Sequence, residues 1–89
     1  MIKLEVTTRF KYQHKRFVKK SSSRQKLVDQ TLNKLLRNPN HPSLNIEKLS
    51  GSGYWSIRID KSNRIFFIWL EKNVILLTDI GSHDKYRKY

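Results

Sequence analysis

Residues 54–82, YWSIRIDKSNRIFFIWLEKNVILLTDIGS, decide the fold because they contain three apolar runs separated by two short polar links. In the first run Trp55, Ile57 and Ile59 alternate with polar residues, which is typical of a strand with one buried face. The runs RIFFIWLE and VILLTDI are apolar on both faces, as in a central strand that is covered on both sides. Links as short as KSN and EKN favour an antiparallel meander.

The residues before this stretch predict a strand and two helices. Ile2, Leu4 and Val6 alternate with polar residues and indicate a half-buried first strand. Thr7 or Thr8 can cap a first helix, whose apolar face comprises Phe10, His14, Phe17 and Val18. His14 is predicted to be packed and hydrogen-bonded on that face.

The second helix repeats leucines and valine at helical spacing, starting at an N-cap on Ser22 or Ser23. It should end at Asn38, because Pro39 disfavours helical backbone in the residue before it. The segment IEKLSG is a further candidate strand. The sequence therefore predicts an α+β fold of order β-α-α-β-β-β, with an antiparallel helical hairpin packed on one face of a twisted, mainly antiparallel sheet.

Composition limits the class of protein. A chain of 89 residues makes one domain, residues 1–89, and the absence of cysteine excludes disulfides and thiolate metal sites. No signal-peptide core and no apolar run of membrane-spanning length is present, so we expect a soluble, intracellular protein. Nineteen Lys and Arg against seven Asp and Glu give a net charge of +12, which favours a polyanionic partner, above all nucleic acid. On charge alone, a basic protein that coats RNA without chemistry fits equally well.

Two arginines form the first candidate site. Arg58 shares the polar face of its strand with Ser56 and Asp60, and Arg64 opens the next strand across a short link. A hairpin of this kind can bring the two arginines together, where their charges repel unless an anion lies between them. We therefore predict a phosphate clamp, against the alternative of two solvated surface residues.

The carboxyl-terminal tail forms the second candidate site. His83 and Asp84 follow the last strand directly after Gly81 and Ser82, and histidine is the side chain best suited to proton transfer near neutral pH. An inert histidine in a solvated tail is the alternative. His41 most simply fixes its loop, and three scattered histidines without cysteine make a metal site improbable. Lys48 can reach the arginine pair's face if its strand pairs with the next one. The tyrosines that can stack on bases are Tyr54, Tyr86 and Tyr89.

A family resemblance rests on two segments, HPSLNIEKLSGSGYWSIRIDKSNRIFFIW at residues 41–69 and VILLTDIGSHDKYRKY at residues 74–89. Over its whole length the chain resembles the RelE/ParE superfamily of bacterial toxins, and within it the RelE and YafQ-type mRNA interferases. The resemblance implies a toxin that enters the ribosomal A site and cleaves messenger RNA without a metal or other cofactor. In that reaction a ribose 2′-hydroxyl attacks the adjacent phosphate, which requires a proton acceptor, a proton donor and cations.

The resemblance also assigns residues. It implies a catalytic set of Arg58, Arg64, His83, Asp84 and Tyr86, and an RNA-binding set of Lys48, His41, Lys61, Lys85, Arg87 and Lys88. The family's usual aromatic position after the histidine falls on Arg87 here, so the stacking role passes to Tyr86 or Tyr89, with Tyr86 favoured.

Partners and alternatives follow from the same resemblance. A toxin of this kind implies a cognate antitoxin with an acidic, partly disordered segment, together with the ribosome and its message as targets in a bacterial cytoplasm. One alternative is a ParE-like, non-catalytic inhibitor of DNA gyrase. The other is a basic RNA-binding module without enzymatic activity.

Overall fold

The computed structural model describes residues 2–49 and 51–82, which form two helices packed on a five-stranded sheet. The strands are β1 (Lys3–Val6), β2 (Glu47–Lys48), β3 (Trp55–Arg58), β4 (Asn63–Glu71) and β5 (Val74–Ser82), and the helices are α1 (Thr8–Val18) and α2 (Ser22–Arg37). A single 3-10 turn, Pro42–Leu44, lies between α2 and β2. Within this part of the chain, no helix is long and apolar enough to cross a membrane.

The sheet has the strand order β1-β5-β4-β3-β2, in which β1 pairs with β5 in parallel and every other pair is antiparallel. The predicted α+β class and the mainly antiparallel sheet are confirmed. The structure has one strand more than the order β-α-α-β-β-β, because two residues of the candidate segment IEKLSG pair with β3.

The ends of both helices follow from short capping side chains. Thr7 Oγ1 accepts a hydrogen bond from the Phe10 amide at 2.9 Å, which confirms one of the two predicted caps of α1. The predicted caps of α2 were wrong: Ser21 Oγ accepts from the Arg24 amide at 3.2 Å, and Ser22 and Ser23 lie inside the first turn. Asn38 is the carboxyl-terminal cap of α2, as the proline after it predicts.

The hydrophobic core lies between the helices and one face of the sheet, which we call the core face. Its central row is Ile57, Ile65 and Ile80, direct partners on three adjacent strands and each 0–1% exposed. Phe10 and Phe17 of α1 and Val28 and Leu35 of α2 belong to the same cluster, with Leu44, Phe67, Ile75 and Leu77. Trp55 and Trp69 flank Phe67 at ring-centroid distances of 6.4 and 5.8 Å. The predicted inward face of the first meander strand is confirmed.

His14 departs from its prediction in one respect. Its ring stacks on Phe10 with the centroids 5.7 Å apart, so it is packed as expected. Its buried Nε2, however, has no hydrogen-bond partner among residues 2–49 and 51–82, so the expected hydrogen bond at that atom is missing from this part of the chain. A half-buried imidazole on the edge of the core is tolerated because the cost of one unpaired nitrogen is small beside the burial of the neighbouring aromatic residues.

A β-bulge reverses the side-chain alternation of β5. Phe66 pairs with Asp79 whereas Phe67 pairs with Leu77, so Thr78 is an extra residue on β5. Thr78 Oγ1 donates a hydrogen bond to the Phe66 carbonyl at 3.1 Å. This bond gives the carbonyl a partner at the point where the bulge interrupts the backbone pairing of β4 and β5. Because of this bulge, Leu77 and Ile80 both face the core, and Asp79 and Gly81 face the other side of the sheet.

The turn between β3 and β4 is closed by Asp60. Its Oδ1 accepts hydrogen bonds from the Ser62 and Asn63 amides, both at 2.8 Å, and the Asn63 side-chain amide contacts both carboxylate oxygens. Partial burial raises the pKa of Asp60, but these hydrogen bonds and the charge of Arg24 outweigh it and hold the pKa below its usual value of 3.8. The link spans residues 59–62 instead of the expected KSN, and the β4–β5 link is only residues 72–73.

We predict that Asp60→Ala lowers the free energy of unfolding by about 1–2 kcal/mol, since it removes the acceptor for several hydrogen bonds. Asp60→Asn keeps one acceptor oxygen and should lose less at pH 7. Because the folded pKa is depressed, the wild-type contribution is present above the unfolded pKa of 3.8 and is lost as the pH falls through the lower folded value. Urea unfolding at pH 7 and at acidic pH measures both effects. An equal acid sensitivity in wild type and Asp60→Asn would contradict this assignment.

Candidate functional site

Arg58 and Arg64 lie directly opposite each other on β3 and β4. Side chains of direct antiparallel partners project to the same face with Cβ atoms about 5 Å apart, so the two guanidinium groups share one surface. We call this side of the sheet the arginine face; it is opposite the core face, because both arginines alternate with the buried residues Ile57 and Ile65. The predicted proximity of the two arginines is confirmed.

The two arginines differ in their surroundings. Arg58 is exposed, whereas Arg64 is half-buried and its Nη1 donates to Ser56 Oγ at 3.4 Å. On its other side, Arg64 pairs with Gly81 of β5, which carries no side chain. Two adjacent guanidinium groups on one face form an arrangement suited to a phosphate.

A second, buried row lies directly behind the arginines on the same face. It consists of Ser56, Phe66 and Asp79, which are direct partners across β3, β4 and β5 and are each 0% exposed. Asp79 is anchored twice: its Oδ2 accepts from Nε and Nη2 of Arg9 at 3.3 Å, and its Oδ1 accepts from the Ile80 amide at 2.8 Å. The first turn of α1 is therefore tied to the end of β5.

Glu47 is a candidate site residue that the sequence analysis did not single out. It pairs with Ser56, so the register of β2 places it on the arginine face, diagonal to Arg58. Its carboxylate accepts from the Asn45 side chain at 3.3 Å. The alternation of IEKLSG already requires Glu47 and Lys48 to point in opposite directions, but only the register with β3 decides which of them faces the arginines.

The same register moves Lys48 away from the site. Lys48 pairs with Trp55, so it projects to the side of the core face at the outer edge of the sheet, and its strand pairing does not bring it beside the arginines.

Lys61 is exposed in the turn that connects the two arginine strands. Its predicted RNA contact remains a prediction.

His41 has a local structural role. Its Nδ1 accepts from the Ser43 amide at 3.1 Å and shares a 2.8 Å hydrogen bond with Ser43 Oγ, which caps the 3-10 turn. Lys34 Nζ donates to the same hydroxyl at 2.9 Å. These contacts agree with the interpretation that His41 fixes its loop, and its RNA-binding role stays a prediction.

The predicted tail residues lie outside the described part of the chain: His83, Asp84, Lys85, Tyr86, Arg87, Lys88 and Tyr89. The last described residue, Ser82, pairs with Asn63, one position from the pairing of Gly81 with Arg64.

In residues 2–49 and 51–82, no group of three or more histidine, aspartate or glutamate side chains lies close enough together to hold a metal ion.

Several solved structures with a similar arrangement of helices and strands are toxins. The chain superposes on YafQ in the E. coli DinJ–YafQ complex with a TM-score of 0.75, covering 94% of this chain and 96% of that one at 15% identity. The chain has the fold of the RelE/ParE-type toxins. The metal-bound toxin from Helicobacter pylori gives a TM-score of 0.76 at 20% identity, with 96% and 98% of the two chains covered.

A third relative by this RelE-like fold is the YoeB/ParE toxin from Agrobacterium tumefaciens, with a TM-score of 0.69, 21% identity and coverage of 92% and 99%. Comparison of the sequence with protein-family models and with curated proteins finds no match. The three-dimensional likeness therefore carries the RelE-like assignment, and the chemistry has to be argued from the residues.

We predict that inorganic phosphate stabilises the protein through the arginine pair. Arg58→Gln should be more stable than wild type by about 0.2–1 kcal/mol in a chloride buffer, because it removes the repulsion between directly opposed charges. Phosphate at equal ionic strength should raise the unfolding temperature of wild type and close that difference. Lys72→Gln, which removes one charge from the β4–β5 turn, serves as the control. An equal response to phosphate in all three proteins would argue against the clamp.

We also predict that Arg9→Met lowers the free energy of unfolding by about 1–2 kcal/mol, although half of the arginine side chain is exposed. The loss arises because the buried Asp79 carboxylate gives up one of its charged donors. Arg9→Lys should recover only part of it, since an ammonium cannot donate from two positions of a fixed fork. Urea unfolding of the two variants tests this, and full recovery by lysine would contradict the geometry.

Proposed function

We propose that this protein is the toxin of a toxin–antitoxin pair and acts as an endoribonuclease on messenger RNA in the ribosomal A site. The observation that carries the proposal is the direct pairing of Arg58 with Arg64 beside the strand end that leads to His83. Two like charges directly opposite each other repel and lower the stability of the fold. Such a cost is expected at a site that binds a phosphodiester, whose negative charge offsets the repulsion.

The reaction uses the 2′-hydroxyl of the message as its nucleophile. The 2′-oxygen forms a bond to the adjacent phosphorus and the bond from phosphorus to the 5′-oxygen breaks. The 2′-hydroxyl proton passes to a base, and an acid supplies a proton to the leaving 5′-oxygen. The products are a 2′,3′-cyclic phosphate and a 5′-hydroxyl, and no atom from water is required in this step.

Arg58 and Arg64 are assigned to stabilise the negative charge that develops on the phosphate oxygens in the transition state. Arg64 is held by Ser56 and is therefore the preorganised member of the pair, whereas Arg58 is free to follow the substrate. Glu47 is assigned as the proton acceptor, because its carboxylate lies on the same face and diagonal to Arg58. His83 is assigned as the proton donor, with Asp84 orienting it and Tyr86 stacking on a base.

Dependence on the ribosome is part of the proposal. The net charge of +12 favours binding to ribosomal RNA, and the described part of the arginine face offers two arginines and one carboxylate to a substrate. Two cations can hold a phosphate but cannot by themselves hold a flexible message in line for attack. The ribosome would supply that alignment, so isolated RNA should be cleaved poorly. The site of action is accordingly the bacterial cytoplasm.

The antitoxin partner is proposed on the same basis. The E. coli neighbour of the same fold was solved as a complex of DinJ with YafQ. An acidic, partly disordered segment that folds across the arginine face would neutralise the clamp and exclude the message.

We predict that Arg64→Gln and Arg58→Gln each reduce cleavage on programmed ribosomes by roughly 10²-fold or more, because each removes a cation from the transition state. Glu47→Gln should reduce cleavage by roughly 10²-fold or more with little change in ribosome binding, since it removes only the proton acceptor. Mapping of 5′ ends and of the terminal phosphate measures rate and product together. Lys72→Gln and Asp29→Asn are matched controls, exposed residues that lie away from the arginine face.

Different results would redirect the assignment. Intact messages on ribosomes with wild-type protein would rule out the nuclease, and growth arrest with DNA breaks would instead support inhibition of DNA gyrase. Full activity of Glu47→Gln with loss in His83→Ala would move the role of base to the tail. Full activity of Arg64→Gln would show that the site lies elsewhere.

A further inference from the structure

The outer side of α1 carries a second basic surface that the proposed reaction does not use. Tyr12, Lys15, Arg16 and Lys19 follow each other at spacings of three, one and three residues, so they share one side of the helix. All four are exposed, and they line a groove of about 390 Å³. We call this set the α1 stripe.

The α1 stripe and the arginine pair lie on opposite sides of the molecule. Phe10 and Phe17 bury the other side of α1 against the core face of the sheet, in one cluster with Ile57 and Ile65. Arg58 and Arg64 project from the reverse of that sheet. At least one helix diameter, about 10 Å, separates the two basic surfaces, so one phosphate cannot contact both.

The charges of the stripe are not balanced within the helix. No acidic residue occurs in α1, and Lys11, Lys15 and Lys19 repeat at intervals of four residues, which places like charges next to each other. Such repeats weaken a helix, and the cost is removed when a polyanion covers them. The unbalanced charge indicates an anionic partner.

Tyr12 identifies the kind of anion. It is 61% exposed, and the guanidinium of Arg16 lies 5.7 Å from its ring centroid, in the range of a cation–π contact. An exposed ring beside a planar guanidinium is a platform on which an unpaired base can stack, while the neighbouring lysines contact the backbone phosphates. An acidic peptide would pair with the lysine charges but would offer no base to stack on the Tyr12 ring.

We infer that the α1 stripe is a binding surface for unpaired RNA, separate from the arginine face. Tyr12 stacks on one base, and Lys15, Arg16 and Lys19 bind the adjoining phosphates over about 10 Å of helix. The inference deepens the proposed function and rests on it only for the ribosomal origin of this RNA. The chain would then contact the message with one side of the sheet and a ribosomal RNA loop with the outer side of α1.

The first test measures binding without cleavage. The probe is a short, unstructured, fluorescently labelled DNA–RNA chimera with 2′-deoxyribose at every cleavable position, titrated with the full chain by fluorescence anisotropy. Lys15→Gln/Arg16→Gln/Lys19→Gln is compared with Lys3→Gln/Lys26→Gln/Lys72→Gln, which also loses three positive charges at exposed positions. The stripe variant should bind about tenfold more weakly or worse, and the slope of log affinity against log salt should fall by about 2, as three phosphate contacts predict for a single strand.

The aromatic part of the inference has its own variants. Tyr12→Leu should weaken binding about fivefold or more, whereas Tyr12→Phe should retain it, because the ring and not the hydroxyl stacks on a base. A duplex of the same length should not distinguish Tyr12→Leu from wild type, since its bases are already stacked. Circular dichroism melts check that every variant is folded, which matters for the stripe variant because Lys15 and Arg16 lie in the last turn of α1, where basic side chains stabilise the helix end.

The second test separates this inference from the proposed function. Arg64→Gln should sediment with ribosomes as wild type does and fail to cut, while the stripe variant should fail to sediment with them. Equal weakening in both charge-matched triple variants would overturn the inference, because net charge alone would then explain binding. Unchanged RNA affinity with weaker antitoxin binding would overturn it in favour of a protein partner. If wild type does not cut messages, the proposed function fails and the anisotropy result still decides the role of α1.

Discussion

The pairing of Arg58 with Arg64 is the constraint on which the functional side of the molecule depends. The turn that closes on Asp60 fixes that register, because its carboxylate holds the amides of Ser62 and Asn63 before β4 begins. Slipping β3 by one residue against β4 would send every side chain of β3 to the opposite face. Arg58 would then enter the core, and Ile57, which now fills it, would leave it.

The two faces of the sheet divide the energetic work. The core face gains its stability from apolar rows such as Ile57, Ile65 and Ile80, packed beneath two helices. The arginine face carries groups that oppose folding when alone, namely two neighbouring cations, a buried carboxylate and a buried hydroxyl. Each buried polar group there has a partner, as Asp79 has in Arg9 and Thr78 has in the Phe66 carbonyl. The core face stabilises the fold, whereas the arginine face carries the charged groups to which the proposed function assigns roles.

Periodicity was enough to predict the fold and the arginine pair, but not the details that depend on register. Strand alternation in YWSIRID and the short link after it are enough to predict that Arg58 lies near Arg64. Glu47 and Lys48 could not be told apart in the same way, because a two-residue strand has no hydrophobic pattern of its own and takes its facing from β3. The cap of α2 was missed because three consecutive serines offer equivalent hydroxyls, and local propensity does not rank them.

Thr78 is one extra residue between the two paired halves of β5, so the side-chain alternation of the second half is shifted by one position. In an unbroken alternation, Asp79 and Gly81 would share the side of Ile75 and Leu77 and would face the helices. The inserted residue shifts the alternation by one position, so that Asp79 and Gly81 face the side of the sheet opposite the helices. Deletions in this strand should therefore act according to whether an odd or even number of residues is lost. Loss of one residue would move every later side chain of the strand to the opposite face, whereas loss of two would leave the facing unchanged.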